Sequence, residues 1–370
     1  MPQIDPCKIK EYFKGFSLPT VKNLLLLVEA IIYKRTTNLN VLKDCVPILK
    51  GNQVEASSNY HRLIRFFKHP QIDSLIERIL TINQNILRTG RIRWLAIDRT
   101  NWKFGRKNIN LLVLSCIYHN VSVPIMWKQL NKQGNSNFQD RKKLIDRITD
   151  LCCLKSAMLL ADREFIGLNW FQYLLEKKIH FLIRIKKDDY KSLVNNPDKK
   201  QWHRNLIKKA LGGRNLAHTF IELDGYRLNY IIMKNPNKDP KEPLLFFITD
   251  RSTAARRLRL QRYRDRWSIE CCFKHLKTNG FNLEDVHFRD DKKIELMMAL
   301  VSMAYCLSLR EGINKNKTKP IKTKKYNDGK IYPSQSIFRA GLSIISTVIY
   351  DLTHFIYYLL DIFSTELKNV

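Results

Sequence analysis

The sequence predicts an α/β fold: a mixed sheet flanked by helices, preceded by a helical N-terminal region. Three observations predict it. Residues 1–88 carry apolar stretches of helical character and no strand pattern. Residues 93–185 then run strand, strand, strand, helix, strand, helix, strand, an α/β order. Residues 244–309 add a buried-strand run and two long helical segments.

The elements follow in order. Residues 21–33 form an apolar stretch with a polar start, interrupted by Glu29. Thr36 and Thr37 are candidate caps for a helix ending at Val46, before the break at Pro47 and Gly51. Residues 57–68 form a second helical segment bearing Tyr60, His61, Arg62, Arg65 and Lys68. Helix, turn, basic helix resembles a helix-turn-helix. A plain bundle with a solvated basic face gives the same pattern.

Residues 93–100 (RWLAIDRT), 110–119 (NLLVLSCIYH) and 122–130 (SVPIMWKQL) read as a three-stranded meander, with a short turn at Asn120. Residues 135–151 read as a helix. Residues 157–161 (AMLLA) are a short apolar run, hence a strand buried on both faces. A helix over 164–177 and a strand over 180–185 follow. Lysines, Asn195-Asn196-Pro197 and Gly212-Gly213 mark loops in the next stretch. Within it, Asp224-Gly225 between two apolar runs predicts a hairpin over 217–233. Residues 244–249 (LLFFIT) return to buried strand. Helices are expected over 253–278 and 294–309, a basic linker over 314–326, and an apolar helical region over 336–367.

Composition bounds the function. Of 370 residues 44% are apolar, enough for a core, so wholesale disorder is excluded. Lys and Arg number 65 against 34 Asp and Glu, a net charge of +31. That excess calls for a polyanionic partner, nucleic acid first and an anionic membrane surface second. The eight cysteines include no C-x-x-C, so neither a zinc cage nor a secreted disulfide scaffold is indicated. Reduced thiols in a cytoplasmic protein fit best. Residues 1–22 lack the apolar core of a secretory signal. Residues 340–360 are the most membrane-like, but Asp351 and His354 interrupt them, so a buried helix is expected. No G-x-x-x-x-G-K-[ST] loop is present, against an NTPase.

The chemistry concentrates on the helix expected over 253–278. At about 100° per residue, Arg256, Arg259, Tyr263, Arg266, Lys274 and Lys277 fall on one stripe with a single acid, Glu270. Leu258, Ile269, Cys272 and Leu276 fall opposite, as a core face. A solvated face usually mixes signs, whereas a lone carboxylate among cations suits metal-dependent chemistry on a phosphodiester. Two further acids stand out. Asp98 sits within a strand, where Asp is depleted. Asp162 directly follows a buried strand, at the end where α/β sheets bind ligands. The alternatives are an Asp98 paired with Arg93 or Arg99, and an Asp162 that caps the next helix. Asp250 is the rival third acid. Glu164 is expected to point elsewhere from the next helix.

These residues resemble the DDE transposases of insertion sequences, in the family-four branch. That branch carries Y, two residues, R, three residues, E, six residues, K. Tyr263, Arg266, Glu270 and Lys277 match it without a gap. D-R-T-N-W from Asp98 and A-D-R-E-F from Ala161 look like the first and second acid boxes. The resemblance covers about residues 90–310. It implies an RNase H-like core with Asp98 on the first strand, Asp162 after the fourth and Glu270 on the late helix. It implies two Mg²⁺ or Mn²⁺ ions per active site, held by these three acids. Tyr263, Arg266, Lys277, Arg259 and Lys274 would contact DNA.

On this reading residues 1–88 form a helical DNA-binding domain. Residues 89–185 and 243–312 form the two parts of the core, and residues 186–242 a β-hairpin-containing insertion. Residues 313–370 form the basic linker and C-terminal helical region. Related transposases use an aromatic residue of the insertion to support a flipped base, and Trp202 is a candidate only by composition. The implied partners are double-stranded DNA, as transposon ends and target, and a second copy of the chain on paired ends, in the cytoplasm at the nucleoid, with no membrane. An RNase H-fold nuclease and an inactive DNA-binding derivative are the other readings.

Overall fold

The computed structural model describes residues 5–47, 55–237, 239–251, 262–325, 329 and 331–367. Helices α1 (Leu18–Lys34), α2 (Ala56–Phe66) and α3 (Ile72–Leu87) come first. Strands β1 (Trp94–Phe104), β2 (Lys107–Tyr118) and β3 (Val121–Gln129) follow. Next are α4 (Phe138–Thr149), β4 (Met158–Ala161), α5 (Leu168–Glu176) and β5 (His180–Ile185). Helix α6 (Lys199–Lys209) precedes β6 (Leu216–Leu223), β7 (Tyr226–Lys234) and β8 (Leu244–Thr249). Last come α7 (Trp267–Leu276), α8 (Asp291–Thr318), β9 (Thr323–Lys325), β10 (Ile331–Pro333), α9 (Ile337–Val348) and α10 (Leu352–Leu367).

The chain forms two compact units. The sheet unit comprises Arg91–Thr100 and Leu111–Glu270. The helical unit comprises Met1–Gly90, Asn101–Asn110 and Cys271–Val370.

The sheet has eight strands in the order β3-β2-β1-β4-β5-β8-β7-β6. Its first five strands stand in the order 3-2-1-4-5. β1, β4 and β5 are parallel neighbours, with Ala96 opposite Leu160 and Leu160 opposite Leu182. All four residues of β4 are buried, as its unbroken apolar run requires. The β2–β3 hairpin turns at His119 and Asn120, both left-handed with φ of 48° and 62°. Asp224 and Gly225 turn β6 into β7 with φ of 46° and 79°. That hairpin joins the main sheet, because β8 pairs antiparallel with β5 and leaves its other edge to β7. Met158, Leu160, Leu182, Ile231 and Phe247 form one buried cluster from β4, β5, β7 and β8.

The helical unit is built on α8, which packs against α1, α3 and α9. α8 is long and apolar enough to cross a membrane by length and composition, yet 89% of its apolar window is buried inside the protein. Asp290 caps it by accepting from the Lys293 amide at 3.0 Å. Gly312 and Gly341 let α8 and α9 touch: a Cβ at Gly341 would lie 1.7 Å from the Ser308 carbonyl oxygen. α1 starts at the Ser17 cap and stops at Arg35, which is left-handed with φ 55°.

Several sequence expectations change here. Asn38, not Thr36 or Thr37, caps the short helix at Leu39–Leu42. Thr36 donates instead to Asp285 at 2.8 Å and Thr37 to the Asn282 carbonyl at 3.0 Å. The expected basic linker is ordered at both ends: α8 runs on to Thr318, and Thr323–Lys325 pairs with Ile331–Pro333. The C-terminal apolar region is two helices, parted at residues 349–351. The helix expected over 253–278 is described from Arg262. It begins with a 3₁₀ turn at Tyr263–Arg266 before α7. Arg256, Leu258 and Arg259 lie outside the described residues.

Candidate active site

Strand pairing sets the first two acids side by side. Ala96 lies opposite Leu160, and side chains alternate along a strand. Two residues further on, Asp98 and Asp162 therefore share one face of the sheet, and Arg99 takes the other. Asp162 stands just past the end of β4, where its Oδ1 accepts the Glu164 amide at 3.0 Å. Asp98 accepts the Arg99 amide at 2.7 Å.

The third acid arrives on α7, and three contacts tie α7 and the 3₁₀ turn before it to the sheet. Ser268 and Ser122 of β3 share a hydrogen bond of 2.7 Å. Tyr263 donates its phenol to the Ala161 carbonyl at 3.2 Å. Its ring meets Phe247 of β8 edge-on, with centroids 4.8 Å apart. Burial pushes that phenol up to about 12, against the pull of Arg266. Ile269, Cys272 and Leu276 are buried, as the core face of the helix requires.

Arg266 joins the acids. Its guanidinium lies 3.2 Å from Asp98 Oδ2 and 2.7 Å from Glu270 Oε1, with its side chain 13% exposed. Burial raises the Asp98 carboxyl to about 6. The Arg99 amide and Arg266 oppose the rise, and the charges of Asp162 and Glu270 add to it. The three acids thus share one electrostatic site in the sheet unit, together with Tyr263 and Arg266. Asp98 is paired with Arg266, from the late helical segment. A helix cap at Asp162 is also corrected, since α5 begins only at Leu168, after Gly167.

Lys274 and Lys277 belong to the helical unit. Lys274 is exposed. Lys277 donates to the Asn101 carbonyl at 3.1 Å, pairs with Glu284 at 2.7 Å and sits over the Trp102 ring at 5.2 Å. Arg259 lies outside the described residues. Asp250 is tied up structurally: it binds His180 Nδ1 at 2.5 Å and accepts the Phe181 amide at 3.0 Å. Trp202 packs on Tyr230, with centroids 5.5 Å apart. His275 is stacked on Phe338, and burial pulls its pKa down to about 4.

Sequence reasoning passed over two features. A cleft beside Tyr263 and Arg266 is lined by Arg184, Asn235, Arg264 and Trp267, and Trp267 is 54% exposed. The tighter 3₁₀ turn moves Arg264 and Trp267 from where a continuous α-helix would put them. The other feature is Glu164. It sits before α5 and faces Arg99 at 2.6 Å. The salt-bridge signal was present in sequence only as two opposite charges beside the two acids.

The transposase DDE domain family matches residues 89–307, more than half of the chain. The chain belongs to that family. No curated protein matches it. Among solved structures, it is similar to a chain of the cryo-EM structure of a piggyBac transposase synaptic complex with hairpin DNA. The identity is 11%, over 93% of this chain and 73% of that one, with a TM-score of 0.48.

Divalent metal ions are the usual cofactor of the family. Among the described residues no three His, Cys, Asp or Glu side chains converge as a ready metal cluster. The donor set nevertheless fits a hard divalent ion, because it is made of carboxylate oxygens. A cation is already held by two of the acids, the Arg266 guanidinium between Asp98 and Glu270.

Proposed function

We propose that this protein is an insertion-sequence transposase of the family-four branch, which binds terminal inverted repeats and cuts and joins the element's ends. The observation that carries the reading is Arg266 bridging Asp98 and Glu270, with the charge of Asp162 acting on both Asp98 and Arg266, in the order and spacing of the D, D and Y-R-E-K motifs. Asp98, Asp162 and Glu270 would hold two Mg²⁺ or Mn²⁺ ions. Bound there, the ions supply activation of the attacking water or 3′-hydroxyl and charge stabilisation of the leaving oxygen.

The protein's own groups do the rest. Tyr263 anchors the 3₁₀ turn on β4, so Arg266 and Glu270 keep a fixed approach to Asp98. Arg266 is suited to grip a DNA phosphate, because a guanidinium presents paired donors to an oxyanion. Trp267 offers an exposed ring to a base beside that phosphate. Lys274, Lys277 and Arg259 are further proposed DNA contacts. In the helical unit, Arg62, Arg65 and His69 line a cleft with Asn23, and Arg62 donates to Asn23 at 2.6 Å. Like charge and burial there favour an anionic visitor, and residues 1–88 are the proposed end-binding domain. Joining two ends calls for two copies of the chain on paired ends, in the cytoplasm at the nucleoid.

The test is metal-dependent cleavage of DNA carrying the element's ends, by wild type and by Glu270→Gln. Wild type should cut at the element boundary with Mg²⁺. The variant should bind the same DNA and cut about 10³-fold more slowly or worse, the loss of several kcal/mol of charge stabilisation. Equal cutting by both proteins would remove Glu270 from the site.

A further inference from the structure

The strongest unassigned feature is the ion-pair network on the back of the acid site. Arg99 follows Asp98 directly and points to the opposite face of the sheet. An uncompensated guanidinium on the residue next to Asp98 would weaken the hold of the acids on a divalent cation, since Coulomb repulsion is little screened in a buried setting. Glu164 meets it. Its carboxylate accepts from Arg99 Nε at 2.6 and 2.7 Å, from the Ser136 amide at 2.8 Å and from Ser136 Oγ at 2.7 Å. The side chains of Arg99 and Glu164 are 17% and 10% exposed. Asn135 takes another Arg99 donor at 2.9 Å.

The same residue also reaches the site through its backbone. The Glu164 amide donates to Asp162 Oδ1, and its carbonyl accepts from Arg141 Nη2 at 2.8 Å. Arg141 is buried and also donates to Ser136 Oγ at 3.0 Å and to the Ser136 carbonyl at 2.8 Å. The turn that presents Asp162 is thereby fixed from behind.

We infer that Glu164 is a positioning residue whose charge cancels Arg99, so that the negative charge of Asp98, Asp162 and Glu270 stays available to divalent cations. The inference rests on the proposed metal site. It separates charge from size, because a Gln at position 164 keeps the size and one acceptor oxygen for Ser136, while its amide nitrogen replaces the oxygen that also accepts from Arg99.

The probe is Mn²⁺ alone, titrated into the full chain and followed by electron paramagnetic resonance, with DNA absent. Wild type should bind Mn²⁺ and Asp98→Asn should lose it. Glu164→Gln should bind 10–100-fold more weakly, the usual scale for a group behind the ligands. The double variant Arg99→Gln/Glu164→Gln removes both members of the ion pair and should recover to within about threefold of wild type. Wild-type affinity in Glu164→Gln overturns the inference. So does a folded double variant that binds as weakly as Glu164→Gln, which would make the role one of shape. If Glu164→Gln does not fold, the double variant decides alone: affinity about tenfold or more below wild type overturns the inference. Absence of Mn²⁺ binding in wild type, or its persistence in Asp98→Asn, overturns the metal site itself, a result distinct from the others.

Discussion

Glu164 in the sheet unit is half-buried and Glu29 in the helical unit fully buried, and the surroundings of these two carboxylates are opposite. Glu164 accepts from Arg99 and from two groups of Ser136. Glu29 lies on α1, is 1% exposed, and neither of its oxygens has a hydrogen-bond partner among the described residues. Burial, with a smaller push from Asp351, raises its pKa to about 8. Glu29 is therefore neutral at pH 7, a polar interruption in a helix whose neighbours are all core. The difference teaches that burial of an acid does not mark a site.

The largest effect on this comparison should come from Arg141. Its guanidinium satisfies Ser136 and the Glu164 carbonyl at once. Arg141→Leu strands those buried acceptors and should cost about 3–5 kcal/mol in denaturant unfolding, the range for breaking a buried charged network. A cost below about 1 kcal/mol would mean that water replaces the guanidinium and that the network is open.

Glu29 should give the next effect, and it has a pH signature. The unfolded chain releases the Glu29 proton near pH 4.5 and the folded protein near 8. Between these values the folded state binds more protons, so stability falls as pH rises and levels off above 8. From pH 6 to pH 9 wild type should lose about 2–3 kcal/mol more than Glu29→Gln, which cannot ionise. Parallel stability curves for the two proteins would show that Glu29 finds a partner.

Much of the site was legible before the fold. Asp98 stood out as an acid within a strand and Asp162 as an acid directly after a buried one, and strand register places both on one face of the sheet, where Arg266 pairs with Asp98. The spacing from Tyr263 to Glu270 survived the change from a continuous α-helix to a 3₁₀ turn plus α7, since the turn shifts the arc without reversing it. Two things were hidden. Nothing local says that β8 pairs with β5 and carries the β6–β7 hairpin into the same sheet, because long-range pairing depends on which edge is free. Glu164 was read as a bystander on a helix. Gly167, with φ 153°, delays α5 to Leu168 and leaves Glu164 in the turn, where it turns back to Arg99.

The smallest effect should come from the residue beside Arg141. Lys142 pairs with Asp146 at 2.7 Å on the same helix, but their side chains are 42% and 35% exposed. Water screens such a pair and competes for both ends, and Lys177 offers Asp146 a second cation at 2.9 Å. Lys142→Ala should therefore change stability by less than about 0.5 kcal/mol. Arg141 and Lys142 differ by one position on α4, about 100° around the helix, and that rotation carries the side chain from the interior to water. Unfolding both single variants in the same buffer gives the contrast directly. A Lys142→Ala loss as large as that of Arg141→Leu would mean that α4 contributes through the helix as a whole, and the network behind Glu164 would lose its special standing.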